Sequence, residues 1–276
     1  MRCAHAISRA GPPARRPLGT RVRPAACPLR RGAALCLGLL AVLALPAQGQ
    51  APAAAPPSPD AQVRLLIYPL GADTLLYEGL RTVRHEGGRV IVTTTFMRPD
   101  GTPLQRTEGV YEEATLAPLV ARLEDLRSGE EETFTREGGS VRMSYRATGQ
   151  DAPASATVDA QPRQVFTATV VPFILQEWER LVAGQEVAFR LLVPSRRDSY
   201  AFRFRREDGA GSVPGRLTVR MEPDTWLVRR LVEPLFFVLE LAPPHRLREF
   251  RGRSSIKTDV GKDQDLRTVY RYPDEG

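Results

Sequence analysis

The sequence predicts a mainly-β protein: a curved antiparallel sheet or open barrel, a β-clam, carrying one amphipathic helix and preceded by an N-terminal signal peptide. Three observations predict it. Strand-like segments alternate apolar and polar residues with period two, turn residues recur about every ten positions, and a single stretch switches to helical spacing.

The leader comes first. Residues 1–49 carry eight arginines and no acidic residue, then an apolar stretch from Ala33 to Leu45, the length of a signal h-region and short of the ~20 residues of a membrane span. Pro46 breaks the helix, and Ala47-Gln48-Gly49 supplies small residues for cleavage before Gln50. Export to the periplasm or secretion is the expected localisation, with no transmembrane span after cleavage. Removing the leader's eight arginines from the 39 basic side chains leaves 31 against 32 acidic ones, so the chain's charge of +7 belongs to the leader. The near-neutral body lacks the positive field that tracks phosphates, so no nucleic-acid partner is expected.

All three cysteines (Cys3, Cys27, Cys36) lie in the leader, and bulky Leu35 before Cys36 is the wrong context for lipidation. The mature chain keeps only His85 and His245, too few for a thiolate or histidine metal site, and neither metal nor cofactor is expected. Two lysines (Lys257, Lys262) and no asparagine reflect a GC-rich composition and carry no function.

Residues 50–62 read as a Pro/Ala-rich tether, and 63–273 as one antiparallel β domain. Turn chemistry stands at Glu86-Gly87-Gly88, Pro99-Asp100-Gly101-Thr102, Ser128-Gly129, Glu137-Gly138-Gly139, Asp208-Gly209-Ala210-Gly211 and Pro223-Asp224. Between turns, Leu217/Val219/Met221 alternate with Arg216/Thr218/Arg220/Glu222, Tyr200/Phe202/Phe204 with Ala201/Arg203/Arg205, and Val141/Met143/Tyr145 with Arg142/Ser144/Arg146. Such arginines are the solvated side of a sheet with one buried face.

From Thr169 to Ala183, Phe173/Ile174, Trp178 and Leu181/Val182 recur at helical spacing, with Pro172 suited to a first turn and Gly184 to a C-terminal cap. This helix should lie across a mouth or face of the sheet. The run Leu231–Leu241, bounded by Pro234, Pro243 and Pro244, reads either as a strand buried on both faces or as an apolar flap beside a cavity.

Trp178-x-x-Leu181-x-x-Gly184 leads into a strand ending Val193-Pro194-Ser195-Arg196. Arg246-Leu247-x-x-Phe250-x-Gly252-x-Ser254-x-Ile256 precedes a last strand, Leu266–Tyr272. Through these segments residues 63–273 resemble uncharacterised exported bacterial envelope proteins whose expected fold is similar to the open β-barrel of the lipoprotein-carrier family. The resemblance consists of structural punctuation, and what it implies is a barrel interior that accepts acyl chains.

Catalytic motifs are missing: no phosphate-binding loop, dinucleotide fingerprint or nucleophile elbow occurs. A triad can be assembled on paper from Ser195 or Ser199, His245 and Asp198 or Asp224, and Asp259, Asp263 and Asp265 around Gly261 resemble a calcium loop without its terminal glutamate. Glu177 and Glu179 point to different sides of the expected helix. The chain is therefore read as non-enzymatic. Trp178, Phe189, Leu191, Phe202, Phe204, Trp226, Phe236 and Phe237 either close on one another as plain core or line a pocket for a lipid or other apolar ligand. The alternative is a protein–protein interaction factor of the cell envelope, working through exposed strand edges. A hydrolase without a recognisable motif stands third.

Overall fold

A computed structural model describes residues 61–209 and 213–275. The expected signal peptide and residues 50–60 of the tether lie outside the described residues, as do Ala210 and Gly211 of one expected turn.

Eight strands follow one another as an antiparallel meander: β1 (Ala61–Pro69), β2 (Tyr77–Glu86), β3 (Arg89–Met97), β4 (Pro103–Glu112), β5 (Pro118–Asp125), β6 (Glu131–Glu137), β7 (Ser140–Arg146) and β8 (Ala154–Asp159). The two-residue β9 (Gln164–Val165) precedes a second meander: β10 (Val187–Val193), β11 (Asp198–Arg206), β12 (Arg216–Pro223), β13 (Leu235–Glu240), β14 (Leu247–Arg253) and β15 (Asp265–Arg271). β1 pairs with β15, which joins both meanders into one 15-stranded sheet, and β9 adds to β10 in parallel. β8 and β9 do not pair, so this curved sheet stays open. The glycine-rich turns behave as their chemistry requires. Gly87 and Gly88 both take positive φ between β2 and β3, the geometry that lets a two-residue hairpin match the twist of its strands.

Antiparallel alternation sorts the connections onto two rims. The mouth rim carries the β1–β2, β3–β4, β5–β6, β7–β8, β10–β11, β12–β13 and β14–β15 connections, and the back rim carries the rest. The sheet curls far enough that the β10–β11 turn, Pro194–Arg196, packs against β6 and β7.

The expected single helix is present as a helical segment broken once. A 3-10 turn (Thr167–Thr169) leads into α1 (Val170–Gln176), and α2 (Trp178–Val182) follows after Glu177, whose backbone (φ −98°, ψ 16°) leaves the helical region. Gly184 ends the segment at φ +77° and donates its N–H to the Leu181 carbonyl, the role its position suggested. The buried stripe Val170, Phe173, Ile174, Trp178 and Leu181 packs on the inner faces of β10–β14, against Phe189, Phe204, Leu217, Val219 and Phe237. Just before it, Phe166 and Ala168 enter the other half of the sheet and join Val90, Val92, Tyr111, Phe134, Val141 and Met143. One segment thus fills the interior of both halves. A third cluster (Val63, Leu65, Ile67, Ile256, Leu266) seals the β1–β15 junction.

Outward Arg203, Arg205 and Arg220 gather around one carboxylate on the outer face of the sheet. Glu222 is only 3% exposed because Arg203 (2.7 Å), Arg220 (2.8 Å), Arg229 (3.4 Å) and Arg205 (3.8 Å) close over it. Burial alone would raise its pKa, but the arginines outweigh burial and hold it below the ordinary value.

Candidate functional site

The eight residues expected to line a ligand cavity do not share one wall. Trp178, Phe189, Phe204 and Phe237 are buried in the core over β10–β14, with Phe189 and Phe204 stacked at 4.3 Å. Leu191 and Phe202 pack at the edge of that core. Phe236 takes the opposite phase from Phe237 and lies under Arg251 and Arg220 at 5.5 and 6.0 Å. Trp226, at the head of α3 (Trp226–Arg229) in the β12–β13 connection, is 60% exposed. The run Leu231–Leu241 divides likewise: Phe237, Val238 and Leu239 are buried on both faces, whereas Leu231 stands 82% exposed.

The paper triad is taken apart by the rims. His245 sits on the back rim, stacked 4.0 Å from Trp178, while Ser195, Asp198 and Asp224 belong to the mouth rim. Asp259 is held by Arg98 and Arg127, and Asp263 and Asp265 by Arg253; no group of acidic, histidine or cysteine side chains fit to hold a metal occurs among the described residues. Glu177 is bound by Arg163 and Arg180 at the back rim.

A different site emerges from strand register. Across β2–β7 two inward rows run side by side. One is apolar: Val83, Val92, Gly109, Ala121, Phe134 and Met143 lie opposite one another in turn. The next row toward the mouth is Arg81, Thr94, Thr107, Leu123, Glu132 and Tyr145. Period two puts both rows on the same face, so a guanidinium, two hydroxyls, a carboxyl and a phenol point into the barrel beside the Phe134–Phe166 pair. A partly open cavity of about 100 Å³ lies between them, walled by Arg81, Thr94, Thr107, Glu132, Phe134 and Phe166, with Glu108 and Arg122 also at its border. A wider cavity of about 500 Å³ opens beyond it at the mouth rim, and the two share Leu123, Glu132, Thr167 and Ser255. A separate back-rim cavity of about 550 Å³ lies by Leu116, Arg163, Phe173 and Glu177.

The β14–β15 connection straps the mouth. Its Ser255 exchanges hydrogen bonds with Gln105, donating Oγ–H at 2.9 Å and accepting from the Gln105 amide at its carbonyl at 3.1 Å. Ile256 is buried at 1% exposure, and Lys257 donates to both oxygens of Glu130 at 2.6 Å. Tyr145 donates to the same carboxylate at 3.0 Å. Burial works to lower Lys257, but the hydrogen bonds and charge of Glu130 prevail and hold its pKa above the ordinary value. Arg127 ties the β5–β6 turn to the strap by donating to Asp125, to the Lys257 carbonyl and to Asp259.

Glu132 is the exception among these charges. Burial pushes its pKa above the ordinary 4.5 and the neighbouring Glu130 adds to that, against hydrogen bonds from Ser195 and the charge of Lys257. A carboxyl raised in the folded state favours folding below its unfolded pKa, and that contribution is lost as pH rises through the folded value. Glu132→Gln should therefore raise Tm at pH 7 relative to wild type and leave it unchanged below about pH 4. Thermal unfolding at both pH values checks this, and a variant less stable at pH 7 would contradict it.

No family model matches the chain, and neither a curated protein nor a solved structure matches it. The interior row was not singled out from sequence, although a signal was there. Arg81 stands in phase with Val83, and Glu132 in phase with Phe134, so each is a charge on the apolar phase of its strand.

Proposed function

We propose that this chain is a non-enzymatic binding protein of the periplasm or cell exterior that holds a small amphipathic molecule inside its open barrel. The observation that carries this reading is the inward polar row, Arg81 to Tyr145, facing a cavity walled on its other side by Phe134 and Phe166. A few precisely placed polar groups in a mostly preformed concave site are the usual makings of a small-molecule pocket. Size narrows the ligand. The inner cavity, about 100 Å³, is smaller than the ~150 Å³ that admits benzene, and Phe189, Phe204 and Phe237, expected to enclose an acyl chain, are packed against the helical segment. The part of the ligand that enters is small, and the remainder lies in the mouth.

The test is a thermal-shift screen of small acids, amides, alcohols and lipids against the full chain and Thr107→Phe, whose ring fills the inner cavity. A ligand that stabilises wild type by RT ln(1 + [L]/Kd) and leaves Thr107→Phe unmoved supports the reading. Equal shifts in both proteins would contradict it.

A second reading, an envelope docking factor, is favoured by the mouth rim itself. Trp226, Leu227, Val228, Leu231 and Val232 are all exposed in one connection, beyond what scattered surface apolars explain. Crosslinked pull-downs with Leu231→Glu discriminate the two: loss of a captured partner with retained ligand shifts supports docking. No helix among the described residues is long and apolar enough to cross a membrane.

A further inference from the structure

Arg81 is the one cation of the polar row, and its surroundings are unusual for an arginine of this sheet. It lies opposite Val63 on one side and Thr94 on the other, both buried, and its head borders the inner cavity. Among the described residues no carboxylate or carbonyl forms a hydrogen bond or ion pair with its guanidinium. The neighbouring interior charges are matched: Lys257 with Glu130, and Arg127 with Asp125. The carboxyl across the cavity, Glu132, does not serve as its counter-ion. The Arg81 charge acts against the burial that raises the pKa values of Tyr111, Tyr270 and Tyr272, that of Tyr272 to about 12.

A guanidinium keeps its charge in a protein. Its five N–H donors in a planar fork match one kind of group well, a carboxylate accepting two of them side by side. The rest of the wall fits the same occupant. Thr94 and Thr107 add hydroxyl donors beside the fork, and Val92, Phe134 and Phe166 suit a short hydrocarbon stem. Arg81 is the cation that the inward row presents to the cavity, with the Thr94 and Thr107 hydroxyls beside it, and in about 100 Å³ this suits a monoanion better than a phosphate, which calls for a cluster of charges.

We infer that the inner cavity recognises the carboxylate of a small organic acid, held on Arg81, with the acid's short stem against Phe134 and Phe166 and its remainder in the mouth under the β14–β15 strap. This rests on the ligand-holding reading and names its ligand class.

Isothermal titration of the full chain with matched pairs tests it: butanoate against butanamide, and octanoate against octanamide. Each acid should bind at least about tenfold tighter than its amide, the worth of a charge-assisted hydrogen bond expressed as affinity. Arg81→Gln should remove that preference and Arg81→Lys, which keeps the charge without the fork, should retain only part of it. The acid–amide comparison on wild type needs no variant, so a misfolded Arg81→Gln leaves the test intact. Acid and amide binding equally, both displaced by Thr107→Phe, would overturn the carboxylate assignment while leaving the cavity occupied. No binding of either class would overturn the ligand-holding reading, and this inference with it.

Discussion

Phe204→Ala is expected to destabilise the domain by about 3–5 kcal/mol, the cost of deleting a fully buried ring from a close-packed core. Phe204 is 0% exposed and meets Phe189 at 4.3 Å, Phe173 at 6.2 Å and Phe237 at 6.3 Å. Its ring is the point at which β10, β11 and β13 meet the buried stripe of α1. Truncation leaves a void whose walls belong to two strands and a helix, which cannot all collapse into it. Set against the 5–15 kcal/mol that separates most folded domains from unfolded chain, this is a large fraction. Urea unfolding followed by circular dichroism measures it. A loss below about 1 kcal/mol would mean that the aromatic face is not packed core, and the wall of a roomy cavity would again be the better description of these residues.

Gly109→Val is expected to cost at or above the upper end of the ~1–3 kcal/mol typical of overpacking. A Cβ at Gly109 would stand 2.7 Å from the Ala168 Cβ and 2.7 Å from the Phe166 ring. Real Cβ atoms do not approach so closely, and the Ala168 methyl has no rotamer by which to retreat. The segment that fills the interior must shift, or β4 must. The milder Gly109→Ala carries its own control: combined with Ala168→Gly, it should lose much less stability than the two single changes added together, because one clash serves both. Additive losses would place the segment elsewhere. Since Phe166 also walls the inner cavity, Gly109→Val should disturb ligand shifts as well as stability.

How much of this was legible depended on how many residues carried each signal. The open antiparallel sheet announced itself many times over, in Leu217/Val219/Met221 and Val141/Met143 and in glycines such as Gly87 and Gly88 that only a tight hairpin requires. The helical segment was visible from its stripe and its Gly184 cap, but its break at Glu177 was not, since no proline or glycine marks it. Residue type marks a side chain as aromatic, and type does not say which face of a strand it points to. Phe236 and Phe237 are adjacent in the chain and necessarily take opposite faces of β13. The polar row is harder still. Each strand contributes one member, so Arg81, Thr94, Thr107 and Glu132 come together only through the pairing register of neighbouring strands, and register is a property of the assembled sheet. Long connections hide their contacts for the same reason: Lys257 reaches Glu130 across 127 residues of chain.

The most direct test is native mass spectrometry of the full chain, purified gently and compared with Thr107→Phe. The wild-type protein is expected to carry a small adduct that extraction identifies as an organic acid and that Thr107→Phe lacks. A wild-type protein that stays free of adduct after incubation with envelope extracts, or an adduct that Thr107→Phe retains, would contradict that expectation.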